Sequence, residues 1–358
     1  MKLLLKLLSD PECAVSYAVK DWDKAIRFAR HTHLLGHLYF LMERASLLDK
    51  IPPRVKDIML GSSVYNSYFR LQARREMRHL AKQVQAHKIQ VVLLKGGAYI
   101  AAQIGCYAGR RLSDIDLLVA EADLNSAEKM FLEGGWQYGE VNEYDQHYYR
   151  AWMHEVPPLI HKDRAMEVDL HHNLVPPVSR IKLDASKLLE KAVLIDKSPF
   201  YILEAKDLIL HSATHLFFND ELRGGLRDLV DMHELCLQFS QREDFWSELV
   251  PRARELGLQR PLYYALSHLD LLLNTPIPAD VLADSDKDRP NFITRWLMLR
   301  LIQRLIAPKN VENMEAPFAE WLLFIRSHWL RMPLPMLIKH LSYKFQYNAK
   351  KSNTKKSN

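Results

Sequence analysis

Cysteine is scarce in this chain: Cys13, Cys106 and Cys236 stand far apart among 358 residues. Their spacing excludes a cysteine metal site or a redox pair and points to a reducing compartment. Long apolar runs are missing too. No uninterrupted stretch approaches the ~18 apolar residues that a membrane-spanning helix needs. The opening MKLLLKLLSDPE is a poor secretory signal, because Lys6 interrupts the leucines, Asp10-Pro11 end the run and no small-residue cleavage site follows. A short amphipathic helix is expected there, in a cytoplasmic protein. No repeat of fixed period is present, which argues against solenoids and propellers. A large charge excess is absent: Lys and Arg total 49 against 43 Asp and Glu, a net charge of +6. That balance suits an anionic ligand without establishing nucleic-acid binding, and DNA binding is not expected.

What is present centres on Val91 to Val119. An apolar run, Val91 to Leu94, stops at Lys95-Gly96-Gly97; a short amphipathic segment follows; Arg110-Arg111 leads into Asp114-Ile115-Asp116 and a second apolar run. Strand, glycine turn, helix, strand is the economical reading. Side chains alternate along a strand, so Asp114 and Asp116 share one face, about 7 Å apart at most. Two acids on a half-buried sheet repel one another unless a cation lies between them.

Around this stretch the spacing predicts an α+β chain in four parts: a helical region at 1–85, a core with a small mixed sheet at 86–177, a helical region at 178–345 and a basic disordered tail at 346–358. A long helix is expected from Val55 to His87, with Leu71, Met77, Leu80 and Val84 on its apolar stripe and Arg74, Arg75 and Arg78 on a solvated face. Strands are expected at 89–94, 112–119, 136–138, 147–152 and 165–171. Helices are expected at 98–103, from Asp123 to the Gly134-Gly135 stop, at 204–218 and 226–239, and onward to Leu273, then at 291–305 and 316–330. Ser240 with Glu243 reads as a capping box opening one of these.

In Met166-Glu167-Val168-Asp169-Leu170-His171, alternation puts Glu167, Asp169 and His171 on one face. Asp114, Asp116 and Asp169 would then hold two divalent ions, and Mg²⁺ suits carboxylate, phosphate and water together. Gly96 and Gly97 would let backbone amides approach a phosphate at a helix N-terminus. Arg110 and Arg111 would neutralise triphosphate charge. Lys95 reads equally as a phosphate contact or as the solvent-facing end of a strand.

The order K-G-G, R-R-x-x-D-I-D-L-L-V and E-V-D-L-H-H resembles the DNA polymerase beta-like nucleotidyltransferase superfamily, and within it the bacterial family labelled uncharacterised nucleotidyltransferase. The likeness extends to Trp22, the long helix before Leu94, and His215 with Arg227-Asp228, over roughly residues 10 to 240. The interval from Gly97 to Asp114 is longer than is usual in the superfamily. The resemblance implies transfer of a nucleoside monophosphate from an NTP to a hydroxyl acceptor, with pyrophosphate released and two Mg²⁺ on the acidic triad. It implies Asp114, Asp116 and Asp169 as catalytic and metal-binding residues. Asp169 is preferred to Glu167 because it matches the family position and its shorter side chain constrains a metal better. Lys95, Gly96, Gly97, Arg110, Arg111 and Ser113 are the nucleotide-binding candidates. The acceptor (small molecule, protein or RNA) is not specified. Rival readings are an inactive nucleotide- or partner-binding relative and a toxin–antitoxin enzyme that modifies protein or RNA.

Other signals have plainer explanations. His211 and His215 lie one helical turn apart but lack the intervening glutamate of a zinc-protease motif, so packing against the sheet is expected. His171 and His172 are expected to support the acids rather than bind metal. Arg227 and Asp228 are expected to form an ion pair behind the site, in preference to an Arg227–His233 ribonuclease-like pair. For Trp329 to Tyr347 and the lysine tail, a packed helix with a solvated tail is set against contact with an acidic partner or a membrane surface.

Overall fold

The structure is a computed structural model and describes residues 1–105, 107–139, 141, 143–164, 166–218, 222–308, 316–339 and 343. Cys106 and the tail expected at 346–358 lie outside the described residues.

The chain begins with α1 (Lys2–Ser9), α2 (Val19–His31), α3 (Leu35–Arg44) and α4 (Pro53–His87). Pro53 opens α4, where a missing N–H costs nothing. Ala73, Met77, Leu80 and Val84 of α4 are buried at helical spacing. Leu71 falls out of phase with that stripe and is 58% exposed, contrary to the spacing argument.

Next come β1 (Val91–Leu93), α5 (Lys95–Ala102), β2 (Asp114–Leu118), α6 (Leu124–Glu133), β3 (Trp136–Tyr138), α7 (Glu143–Trp152), β4 (Leu159–His161) and β5 (Glu167–His171). After these lie α8 (Ser186–Glu190), β6 (Val193–Leu194) and β7 (Phe200–Ile202). Among the described residues, one seven-stranded sheet runs in the order β3-β4-β5-β2-β1-β7-β6. The fold is thus mixed α and β, and its sheet extends beyond residue 177, since β7 pairs in parallel with β1. The apolar side chains of the two central strands lie in the core: Val91, Val92, Leu93, Ile115, Leu117 and Leu118 are all fully buried.

The second half is helical: α9 (Ala205–Phe218), α10 (Leu226–Phe239), α11 (Phe245–Glu255), α12 (Gln259–Leu273), α13 (Ala279–Asp286), α14 (Phe292–Ile306) and α15 (Pro317–Arg331). Among the described residues, no helix is long and apolar enough to cross a membrane.

Three expectations need correction. Residues 147–152 are helical, within α7, because four-residue spacing brings the rings of Tyr148 and Trp152 to 5.7 Å. The glycine pair sits inside the first turn of α5, which starts at Lys95 rather than at Ala98. Ser240 does not cap α11: its hydroxyl donates back to the Leu237 carbonyl at the end of α10, and Asp244 holds the N-cap position.

Candidate active site

Two neighbouring strands bring the acids together. β2 and β5 run parallel, with Asp116 opposite Asp169 and Asp114 opposite Glu167. Alternation then sets Asp114, Asp116 and Asp169 on one face. One carboxylate oxygen from each lies within 4.8 Å of the others. They border a cavity of about 470 Å³ whose walls include Lys95, Tyr149, Glu155, His211 and Arg331.

Asp116 is the most buried of the three acids and the most heavily bonded. Lys95, the first residue of α5, holds a positive φ of 42°. Its ammonium donates to Asp116 Oδ1 at 2.9 Å. His171 Nε2 lies 3.2 Å from the same oxygen, and its Nδ1 lies 3.2 Å from Glu155 Oε2. Burial would raise the Asp116 carboxyl, but Lys95 and His171 outweigh it and hold the group well below the usual range. Burial would likewise lower His171; the bond to Asp116 and the charge of Glu155 push it up instead. Asp169 has no such support. Burial, then the neighbouring Asp116 charge, pushes it up to about 7.

Three further histidines, His154, His211 and His215, line the cavity. Burial drives His154 and His211 well below the ordinary histidine value and takes His215 down to about 3. His154 stacks on His171 with ring centroids 5.4 Å apart. His211 and His215, expected to pack against the sheet, line the cavity that the sheet's acids border.

The nucleotide-binding candidates divide. Lys95 lines the cavity. Gly96 is buried, and a Cβ there would stand 2.3 Å from Leu112 Cδ1, so close packing of α5 on the segment before β2 requires it. Gly97 would meet Leu93 and Ile115 only at ordinary contact distance. The amides of Lys95, Gly96 and Gly97 form the open first turn of α5, since Ala98 donates to the Leu94 carbonyl. Ser113 donates to Asp114 Oδ1 at 2.8 Å, but its own surroundings are a second cavity, with Tyr68, Arg75 and Arg164.

Arg110 and Arg111 depart from the expected triphosphate contact. Arg110 is 8% exposed and forms buried ion pairs with Asp231 and, at 3.8 Å, with Asp228 of α10. A guanidinium enclosed by two carboxylates is already compensated, and it does not border the cavity that holds the acids. Arg111 turns the other way and stacks over Tyr65 and Phe69 of α4, 5.5 and 5.1 Å from their ring centres. Asp228 also pairs with Arg227 at 3.4 Å, the ion pair expected behind the site.

Sequence reasoning missed Tyr149, Glu155 and Arg331. Tyr149 and the approach to Glu155 were hidden by the strand assignment for 147–152. Arg331 ends α15 more than 150 residues from β5, and no local pattern announces it.

A divalent cation fits the acids. Three oxygen donors converge, one ammonium offsets only part of their charge, and Asp169 carries the strain of the remainder. His154, Glu155 and His171 form a second close group, but both nitrogens of His171 already face carboxylates.

A comparison with proteins of curated function found no match. A family model described as "Uncharacterised nucleotidyltransferase" matches residues 18–274. That span contains the whole sheet, α5 with its lysine, and all three acids, so the chain belongs to the uncharacterised nucleotidyltransferase family.

Proposed function

We propose that this chain is a polymerase beta-like nucleotidyltransferase that moves a nucleoside monophosphate from an NTP to a hydroxyl acceptor in the cytoplasm. The observation that carries this reading is the meeting of Asp114, Asp116 and Asp169 beside the open first turn of α5, at a cavity of about 470 Å³. That volume is within the range of small-molecule sites. The three carboxylates would hold two Mg²⁺, which supply charge stabilisation for the transferring phosphoryl group and acidify the attacking hydroxyl.

The protein's own groups have separable roles. The open amides of α5 favour the anionic phosphates, and Lys95 adds a positive charge beside them. Asp169, opposite Asp116 on the neighbouring strand, is placed to accept the proton of the acceptor hydroxyl. The acceptor oxygen then bonds to the α-phosphorus while the bond to the bridging oxygen breaks, and pyrophosphate leaves in line. Arg331 adds a second positive charge to the cavity lining. Lys95 and His171 clamp Asp116 from two sides, and Glu155 holds the far nitrogen of His171, which fixes the carboxylate the chemistry depends on.

The test is release of pyrophosphate from labelled NTPs in the presence of Mg²⁺ and a cell extract, with the labelled product then identified as small molecule, protein or RNA. Asp114→Asn and Asp116→Asn proteins should lose about 100-fold or more of the rate. Nucleotide binding that persists without pyrophosphate release in the wild-type protein would identify an inactive relative. Unchanged turnover in both variants would remove the acids from the chemistry.

A further inference from the structure

The outer faces of α14 and α15 carry large apolar side chains that are exposed to solvent. On α14, Phe292, Ile293 and Trp296 are 80, 75 and 54% exposed. On α15, Phe318, Trp321, Ile325 and Trp329 are 69, 57, 44 and 47% exposed. The four α15 residues recur at three and four positions, so they form one stripe. Ala319, Leu323 and Ser327 form the opposite, buried stripe. The helix therefore has two apolar faces, of which the body of the protein uses one. α14 packs against α15 and repeats the arrangement, with Met298, Ile302, Leu305 and Ile306 inward. Scattered surface apolar residues are ordinary, but a contiguous band containing three tryptophans is not.

Charge follows the same partition. Residues 291–358 hold 12 Lys and Arg against 3 Asp and Glu, whereas residues 1–290 hold 37 against 40. The chain's net positive charge therefore lies in the sequence segment that contains this band, of which Arg326 turns inward to the Phe217 carbonyl and Arg331 lines the acidic cavity. Glu320, the acid within α15, is neutralised by Arg223. Arg300 lies over the Trp296 ring at 5.8 Å, and Arg180 over the Trp329 ring at 3.9 Å. Aromatic side chains beside long basic ones suit the boundary between lipid headgroups and acyl chains, where the rings enter and the charges stay among phosphates. Each helix has 15 residues, too few to cross the ~30 Å hydrocarbon layer.

We infer that the paired outer faces of α14 and α15 dock the protein, lying in the plane of the surface, on a membrane rich in anionic phospholipid. This inference stands apart from the proposed chemistry, because none of the apolar residues of the band borders the acidic site.

Sedimentation of the full chain with vesicles tests it. Mixed phosphatidylglycerol–phosphatidylcholine vesicles should bind at least ~10-fold more protein than phosphatidylcholine alone, and salt should weaken the binding. Tryptophan emission should shift to the blue on binding. Trp321→Ser with Ile325→Ser should lose ~10-fold or more of the binding while circular dichroism and the thermal midpoint stay unchanged, since both side chains face solvent. Arg300→Glu should reduce the preference for anionic lipid. Equal partition to both vesicle types, or to neither, overturns the inference. So does a dimer in light scattering that the double substitution dissolves while vesicles are ignored, which would make a second copy the occupant. Capture of RNA in preference to vesicles overturns it equally.

Discussion

The carboxyl of Asp169 is pushed up to about 7 because it is sunk in the sheet beside Asp116 and lacks the direct bonds to Lys95 and His171 that Asp116 makes. A carboxyl raised in the folded state binds its proton more tightly there than in the unfolded chain. Its contribution is therefore most favourable below the unfolded value near 4, and declines as pH rises through 7. Without divalent ions, Asp169→Asn should raise the stability of the protein at pH 8 by about 1–4 kcal/mol and leave it unchanged near pH 4. Thermal midpoints at the two pH values measure this; equal shifts at both would contradict it. The arginine pair offers a second residue-scale prediction. Arg110→Ala leaves Asp231 and Asp228 buried with less compensation and should cost about 3–5 kcal/mol in denaturant unfolding. Arg111→Ala removes only stacking on Tyr65 and Phe69 and should cost about 0.5–1 kcal/mol. A triphosphate role would instead raise KM for the nucleotide in both variants with little change in stability. The acids were legible because alternation on a strand fixes which side chains share a face. The roles of Arg110 and Arg111 were not, because two adjacent arginines read alike until one meets a partner 121 positions away in sequence and the other a tyrosine 46 positions back.

Among elements, α5 carries a requirement its glycines do not advertise. Gly96→Ala drives a methyl into Leu112 and toward Arg110, and should destabilise by about 1–3 kcal/mol. Gly97→Ala meets no such obstacle and should be neutral, or stabilising by up to about 1 kcal/mol through helix propensity. Urea midpoints of the two proteins would separate these cases, and similar losses in both would refute the packing argument. The same dependence on context explains which elements the sequence revealed. β2 and β5 have five residues each and a clear alternation of charge and apolar side chain. β6 has two residues and β7 has three, too few for any period to register. α7 misled for another reason: its aromatic side chains favour strands in general, but here their four-residue spacing lets the rings meet along a helix.

Across the whole molecule, buried apolar side chains form one connected cluster that reaches from Leu4 in α1 to Leu323 in α15. A bidentate pair reinforces it: Arg44 of α3 donates to both carboxylate oxygens of the buried Glu234 in α10, at 2.7 and 3.0 Å. With the first and last helices sharing a core, denaturation should be a single cooperative event. Unfolding followed by far-UV circular dichroism and by tryptophan fluorescence should coincide, and a lag between the two signals would mean that the helical ends and the sheet melt separately. Sequence reasoning could not reach this union, because contacts between segments 190 residues apart leave no local trace.

α15 ends where the cavity begins. The backbone N–H of Arg180 is tied to the Leu330 carbonyl, its guanidinium to that of Trp329, and the residue after Leu330, Arg331, lines the cavity that the acids border. The seating of that helix end therefore sets where a positive charge stands in the chamber where phosphates would sit, so a change at the α15 terminus would be felt there as a change in electrostatics.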